Sequence, residues 1–297
     1  MAESPAPQGF PEFLRSLLPQ RFRTDIPLVP VVRLSGVIGF STPLKPGLTL
    51  ASCARPLDRA FAMKNARAVV VAINSPGGSA VQSHLIHRRI RALADEKKMP
   101  VIAVVEDVAA SGGYMIACAA DEVVCDASSI VGSIGVVGGS FGFHKLIEKI
   151  GIERRLYTSG ERKAMLDPFL PEKPEDVERL KQIQREIHDG FIALVKSRRG
   201  DKLDTGHETD LFSGEYWTGS TALKLGLVDA IGDLRGTLRE RYGEKVRMPL
   251  IADRGLFGRR APGVSRAGLE QLWDRPSLAE DAISTLEARA LWARYGL

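Results

Sequence analysis

From about residue 28 the apolar positions settle into alternating strand and helix rhythms. VPVVRL (29–34) and GVIG (36–39) predict strands. AVVVAI (68–73) is a continuous, mostly β-branched run, as expected of a strand buried on both faces of a parallel sheet. VIAVV (101–105) predicts a second buried strand and EVVC (122–125) a third. Between them, residues 53–65 set Leu57, Ala60, Phe61 and Lys64 on one side of a helix, and 79–97 read as a helix ending in the charged DEKK. Strand, crossover helix and strand at this rhythm predict βαβ units and an α/β fold.

Charge order sharpens the helix over 174–199. Pro174 opens it, Glu175 and Asp176 lie in the first turn, and Lys196, Arg198 and Arg199 lie in the last, before Gly200. That arrangement complements the helix dipole. Shorter helices are predicted over 218–226 and 278–294. Near the start, Phe10, Phe13, Leu14, Leu17 and Leu18 keep helical spacing beside Arg15, Arg21 and Arg23. Such a stretch suits a helix on a membrane surface, on the body of the protein, or on a neighbouring subunit. The expected organisation is an amphipathic or extended segment over 1–27, one α/β module over 28–251, and a basic loop with a C-terminal helix over 252–297. No internal repeat is visible.

Composition narrows the function classes. The 41 basic and 36 acidic residues give a net charge of +5, without a long Lys/Arg block, so a nucleic-acid partner is not expected. The longest uncharged stretch, Ala127 to Phe143, holds five glycines and four serines and is too short and polar to span a bilayer. No secretory signal is seen at MAESPAPQGF. Cys53, Cys118 and Cys125 form neither a CxxC nor a zinc pattern, so buried thiols in a reducing, cytoplasmic setting are expected, and no metal site.

Three segments carry candidate chemistry. Asn74-Ser75-Pro76-Gly77-Gly78 follows a buried strand, where bare glycine amides can approach a ligand and serve as oxyanion donors. A plain strand-to-helix turn also favours Pro and Gly. Ala109-Ala110-Ser111-Gly112-Gly113-Tyr114 presents Ser111 between small residues, with the Gly112 amide beside it; a helix N-cap is the alternative. Ser159-Gly160-Glu161-Arg162-Lys163 offers a lysine. At an ordinary lysine pKa only about 0.04% is neutral at pH 7, so a basic role requires burial, and an exposed lysine is simply a surface charge. Of the five histidines, His84, His87 and His188 fall among charged helical neighbours and are expected to face solvent. His144 follows Phe143 and remains an alternative base.

In this order NSPGG, ASGGY, Gly132-Ser133-Ile134-Gly135-Val136, SGxxK and the late Thr218–Asp229 stretch (TGxxAxxxGLVD) resemble the signal peptide peptidase A group, the S49 serine peptidases, over about residues 28–250. The resemblance implies a crotonase-like (ClpP-like) α/β fold and a Ser–Lys dyad with no metal or cofactor. Ser111 maps onto the nucleophile, Lys163 onto the base and Ser133 onto a residue that orients the lysine. Gly77 or Gly78, with Gly112, maps onto the oxyanion hole. It further implies a homo-oligomeric ring or dome acting on unfolded peptides such as cleaved signal peptides or membrane-derived fragments. Members of the group usually carry an N-terminal anchor, which is not seen here, so peripheral contact with the inner face of the membrane is the remaining membrane option. Ala164 also replaces the acidic or polar residue often found after the lysine. The competing expectations are a ClpP-type Ser–His–Asp protease using His144, and a catalytically inactive oligomeric scaffold.

Overall fold

The computed structural model describes residues 26–39, 47–252 apart from 205 and 207, and 278–297. The amphipathic stretch at Phe10–Leu18 and the basic loop after residue 252 lie outside the described residues.

The strands are β1 (Val31–Ser35), β2 (Val69–Ser75), β3 (Val101–Ala110), β4 (Glu122–Cys125), β5 (Ile130–Gly132), β6 (Tyr216–Thr218) and β7 (Ala230–Ile231). They form one sheet in the order β1-β2-β3-β4-β7, parallel along that path. β5 pairs with the far end of β3 in parallel, and β6 adds antiparallel to β5. The α/β architecture predicted from the hydrophobic rhythm is therefore the one observed. All seven residues of β2 are buried, as its unbroken apolar run requires.

Helices α1 (Leu50–Phe61), α2 (Ala80–Lys97), α3 (Gly112–Ala117) and α5 (Pro174–Arg199) help cover one face of the sheet, burying Leu57, Ile86, Ile90, Ile116 and Val195. The other face packs on Leu238 of α8 (Leu234–Tyr242) and on Val246 beyond it. A short α4 (His144–Lys149) lies between α3 and α5 in the chain. After α5 come α6 (Glu208–Leu211) and α7 (Gly219–Lys224), and α9 (Leu278–Ala293) lies near the end.

Several elements differ from expectation for local reasons. α1 begins at Leu50 rather than 53 because Thr49 and Ser52 form a reciprocal capping box. GVIG is not a strand; its Ile38 makes single bridges to Leu48 and Gly78, next to the NSPGG turn. β3 runs five residues past Val105, because its far end finds a partner in β5. Glu106 and Asp107 interrupt the apolar pattern there, but Glu106 pairs with Arg33 at 2.7 Å and Asp107 accepts from the Asn74 amide at 2.5 Å.

A buried polar cluster ties α3 and α5 to the chain beyond α7. Tyr114 is fully buried, and its hydroxyl donates to the Leu227 carbonyl at 2.8 Å. Arg199, 3% exposed, donates to the Gly226 carbonyl and to Asp229 at 2.6 Å. Arg198 donates to the carbonyls of Cys118 and Ala120 at 3.0 Å. A guanidinium held by backbone carbonyls and a carboxylate is the form in which a buried cation is tolerated.

Candidate active site

β3 delivers the chain into Ser111 at φ 53° and ψ −120°, a left-handed turn that a non-glycine residue adopts at a cost of about 1–3 kcal/mol. The turn is held from both sides. Ser111 N donates to Gly132 O at 2.8 Å, and Met115 N donates to Ser111 O at 3.0 Å to start α3. Ser111 stands at the N-cap position, but its side chain makes no capping hydrogen bond. The helix-cap alternative thus fails, and the hydroxyl is not committed to the helix.

The NSPGG turn is pressed against this serine. A Cβ on Gly77 (φ +101°) would stand 2.8 Å from Ser111 Cβ and 2.9 Å from Ala110 O. One on Gly78 would collide with the backbone of Ile38, one on Gly112 with Ser83 Oγ, and one on Gly113 would come within 2.6 Å of Ser75 O. These glycines let three backbone segments meet at van der Waals distance around Ser111. The Gly77 amide donates to Ser75 Oγ at 3.2 Å. The Gly112 amide, at the first position of α3, has no acceptor within that helix.

Ser111 opens into a cavity of about 750 Å³. Pro76, Gly78, Gly112 and Met115 form one side, Gly135–Val137 and Gly139–Phe141 another, and Ile187 and Phe191 of α5 a third. Leu291 and Tyr295, from α9 and the residues after it, complete the wall. Ser133 is buried and also adopts positive φ (54°); its amide donates to Glu215 O at 2.6 Å, and its Oγ accepts from the Tyr295 hydroxyl at 3.3 Å.

The structure thus brings Ser111, Gly77, Gly78, Gly112 and Ser133 together, but it does not bring Lys163 to them. Lys163 is exposed and does not line the cavity. It belongs to an arm over 137–172 in which no residue is buried. The arm is organised on itself: Phe143 stacks 5.6 Å from Phe169, Arg154 lies 4.9 Å above the Phe169 ring, and Arg154 pairs with Asp167 at 2.5 Å.

No histidine among the described residues lines the Ser111 cavity. His144 lines a separate cavity of about 630 Å³ between the arm and α5. Two histidines correct the solvent-facing expectation. His188 makes a 3.0 Å bond with the Ile134 carbonyl. His87 is 8% exposed, and neither ring nitrogen has a hydrogen-bond partner. Burial, with Arg198, His84 and Arg91 nearby, pushes its pKa down from 6.5 to about 4. The three cysteines are buried and unpaired, as expected. Among the described residues no group of His, Cys, Asp and Glu is arranged to hold a metal.

Sequence reasoning missed Tyr216, Phe191 and Tyr295. Tyr295 is 162 residues from the serine it touches, so no local motif could have announced it.

Comparison with known proteins adds the family. The model of peptidase family S49 matches residues 93–245. A Brucella abortus protein named Na(+)/H(+) antiporter NhaA is 55% identical over 293 residues, covering 97% of this chain and 40% of that one. This chain thus spans about 40% of the length of the Brucella relatives it matches. A chloroplastic serine protease SPPA of Arabidopsis thaliana is 39% identical over 58% of this chain and 25% of that one. A putative protease of Synechocystis is 31% identical over 72% of this chain and 77% of its own. No helix among the described residues is long and apolar enough to cross a membrane.

Proposed function

The chain belongs to peptidase family S49, and from that premise we propose that it is a serine endopeptidase in which Ser111 and Lys163 form the catalytic dyad. The observation that carries this reading is the setting of Ser111: a left-handed turn, a hydroxyl unused by the helix, and glycine amides at its side facing a peptide-sized cavity. Neutral Lys163 takes the Ser111 proton as Oγ attacks the scissile carbonyl. The C–N bond breaks, the lysine returns the proton to the leaving amine, and water hydrolyses the acyl-enzyme. The amides of Gly78 and Gly112 hold the oxyanion; Gly77 serves mainly to let the turn approach, since its amide is already given to Ser75. Ser133 orients the lysine.

An exposed lysine cannot be the base, because only burial lowers its pKa far enough. The reading therefore requires Lys163 to be covered, either by movement of the arm or by a second copy of the chain. Val137, Phe141, Ile150, Ile152 and Tyr157 are exposed on that arm, which favours assembly into a homo-oligomer. A cavity of about 750 Å³ is too small for folded protein, so the substrates are unfolded chains, with cleaved signal peptides or membrane-derived fragments first among them. The setting is cytoplasmic, with peripheral contact at the membrane's inner face. In this reading the peptidase domain runs from 28 to 251. The antiporter name of the Brucella relatives is not carried over, because no observation on the described residues favours ion exchange.

Hydrolysis of casein and of a fluorogenic peptide panel from pH 6 to 10 tests the assignment. Ser111→Ala and Lys163→Ala reduce turnover to background, while His144→Ala retains it. Turnover that survives Lys163→Ala removes the dyad. The exposure of Lys163 favours one second reading, a non-catalytic scaffold, which predicts no Ser111-dependent turnover at any protein concentration.

A further inference from the structure

The wall of the Ser111 cavity formed by the last described segment has no part in the chemistry above. Ala290, Leu291, Arg294 and Tyr295 all face that cavity. Two contacts fasten them. The Tyr295 hydroxyl donates to Ser133 Oγ at 3.3 Å, and the Tyr216 hydroxyl donates to Arg294 O at 3.1 Å. The rings of Tyr216 and Tyr295 meet edge to face at 5.0 Å. Tyr216 lies on β6 opposite Gly132 of β5, the residue before Ser133. Latch and site therefore share one two-stranded base. The Gly132 turn packs on the Trp217 ring, so this base is itself closely fitted.

We propose that the segment Leu278–Leu297 is an intramolecular plug of the Ser111 cavity, latched by Tyr295 on Ser133 and by Tyr216 on Arg294. The proposal rests on the assignment of Ser111 and Ser133 to the active site. Tyr295 takes one of the two acceptor sites on the hydroxyl assigned to orient the lysine, so latching constrains the side chain that dyad assembly uses. The latch consists of neutral hydrogen bonds and one ring contact, with no ion pair in it, which is the strength suited to displacement by an incoming chain. A peptide entering the cavity has to displace Leu291 and Tyr295, and once they leave, Ser133 is free to accept from another donor.

Thiol labelling tests the plug without requiring peptidase activity. In a Ser111→Cys chain, the rate of alkylation by iodoacetamide at position 111 is followed by mass spectrometry. The native thiols give little background, being buried and pushed up to about 11 at Cys53 and Cys125 and about 12 at Cys118. Removing residues 290–297, or Tyr295→Ala, raises the labelling rate about tenfold or more, and Tyr295→Phe, which keeps the ring on Tyr216, raises it about three- to fivefold. Melting curves identify any variant that has lost its fold, in which case Tyr295→Phe carries the test. Equal rates in the parent and in the folded variants overturn the plug. Faster labelling on unlatching without peptide hydrolysis leaves the plug standing and removes the peptidase reading. Ser111-dependent hydrolysis with unchanged labelling does the reverse.

Discussion

Around Ser111 the backbone is fixed by neighbours on several sides, whereas around Lys163 the chain runs from 137 to 172 without one buried residue. The first region is built by the sheet. β2 and β3 end side by side, and their final turns interlock through Gly77, Gly78, Gly112 and Gly113. Behind them, Tyr114 and Arg199 tie α3 and α5 to the carbonyls of Leu227 and Gly226. The second region is held by its own rings and an Arg154–Asp167 pair, and α4 within it has no buried side chain. A nucleophile and its amide donors are useful only when preorganised, and a rigid sheet edge supplies that. A lysine base needs instead to be taken out of water, which can be left to a later step such as assembly.

The largest effect expected from breaking this contrast is at Gly77. Alanine there takes on a left-handed φ of +101° and a Cβ 2.8 Å from Ser111 Cβ. Strain of about 1–3 kcal/mol is expected, lowering the melting temperature by about 2–4 °C per kcal/mol. Displacing the serine and its donor lowers kcat/KM about a hundredfold. Gly139→Ala, on the arm, meets nothing within 4 Å and leaves the melting temperature unchanged. If the two substitutions cost the same, the contrast between a locked and an open region is wrong.

These two regions were also unequally legible. The βαβ rhythm was visible because a strand covered on both faces must be apolar throughout, as Val69–Ile73 are. NSPGG and ASGGY were visible because close backbone approach needs glycine, and the structure brings the two turns into contact. The continuation of β3 past Val105 was not, since Glu106 and Asp107 look like a strand end until Arg33 and Asn74 are seen to receive them. His87 was misjudged for a related reason. Charged neighbours on α2 suggested solvent, but its own face of the helix points inward. Tyr295 depends on a contact between residues 162 positions apart, which no local pattern announces.

A medium effect follows from His87, which belongs to the locked region. In the folded chain its pKa is about 4, against 6.5 when solvated. Above pH 6.5 both states leave it neutral and it contributes nothing to pH dependence. Between 6.5 and 4 the unfolded chain takes up a proton that the folded chain refuses, so stability falls as pH falls. A gap between 6.5 and about 4 corresponds to about 3 kcal/mol once both states are protonated. Denaturant melts at pH 7, 5.5 and 4.5 therefore show a steeper loss for the parent than for His87→Leu. Parallel slopes would mean that water reaches His87 in the fold, and that the packing behind α3 is looser than its burial indicates.

The smallest effect is expected on the arm, and its dependence on concentration is what makes it informative. Glu153 and Arg155 pair at 2.7 Å with side chains 71% and 69% exposed. An ion pair in that setting gains little, because water competes for both groups and salt screens them. Glu153→Gln in a dilute, monomeric sample therefore leaves the melting temperature unchanged. If a second copy covers the arm, Arg155 loses both its partner and its water at once, and a cation left buried and unpaired is strongly destabilising. The same substitution then lowers the melting temperature only at protein concentrations where the parent assembles, and weakens assembly itself. Sedimentation and melting across a concentration series read both quantities together. A silent substitution at every concentration, in a chain that does assemble, would place the contact elsewhere and leave movement of the arm as the route open to the proposed dyad.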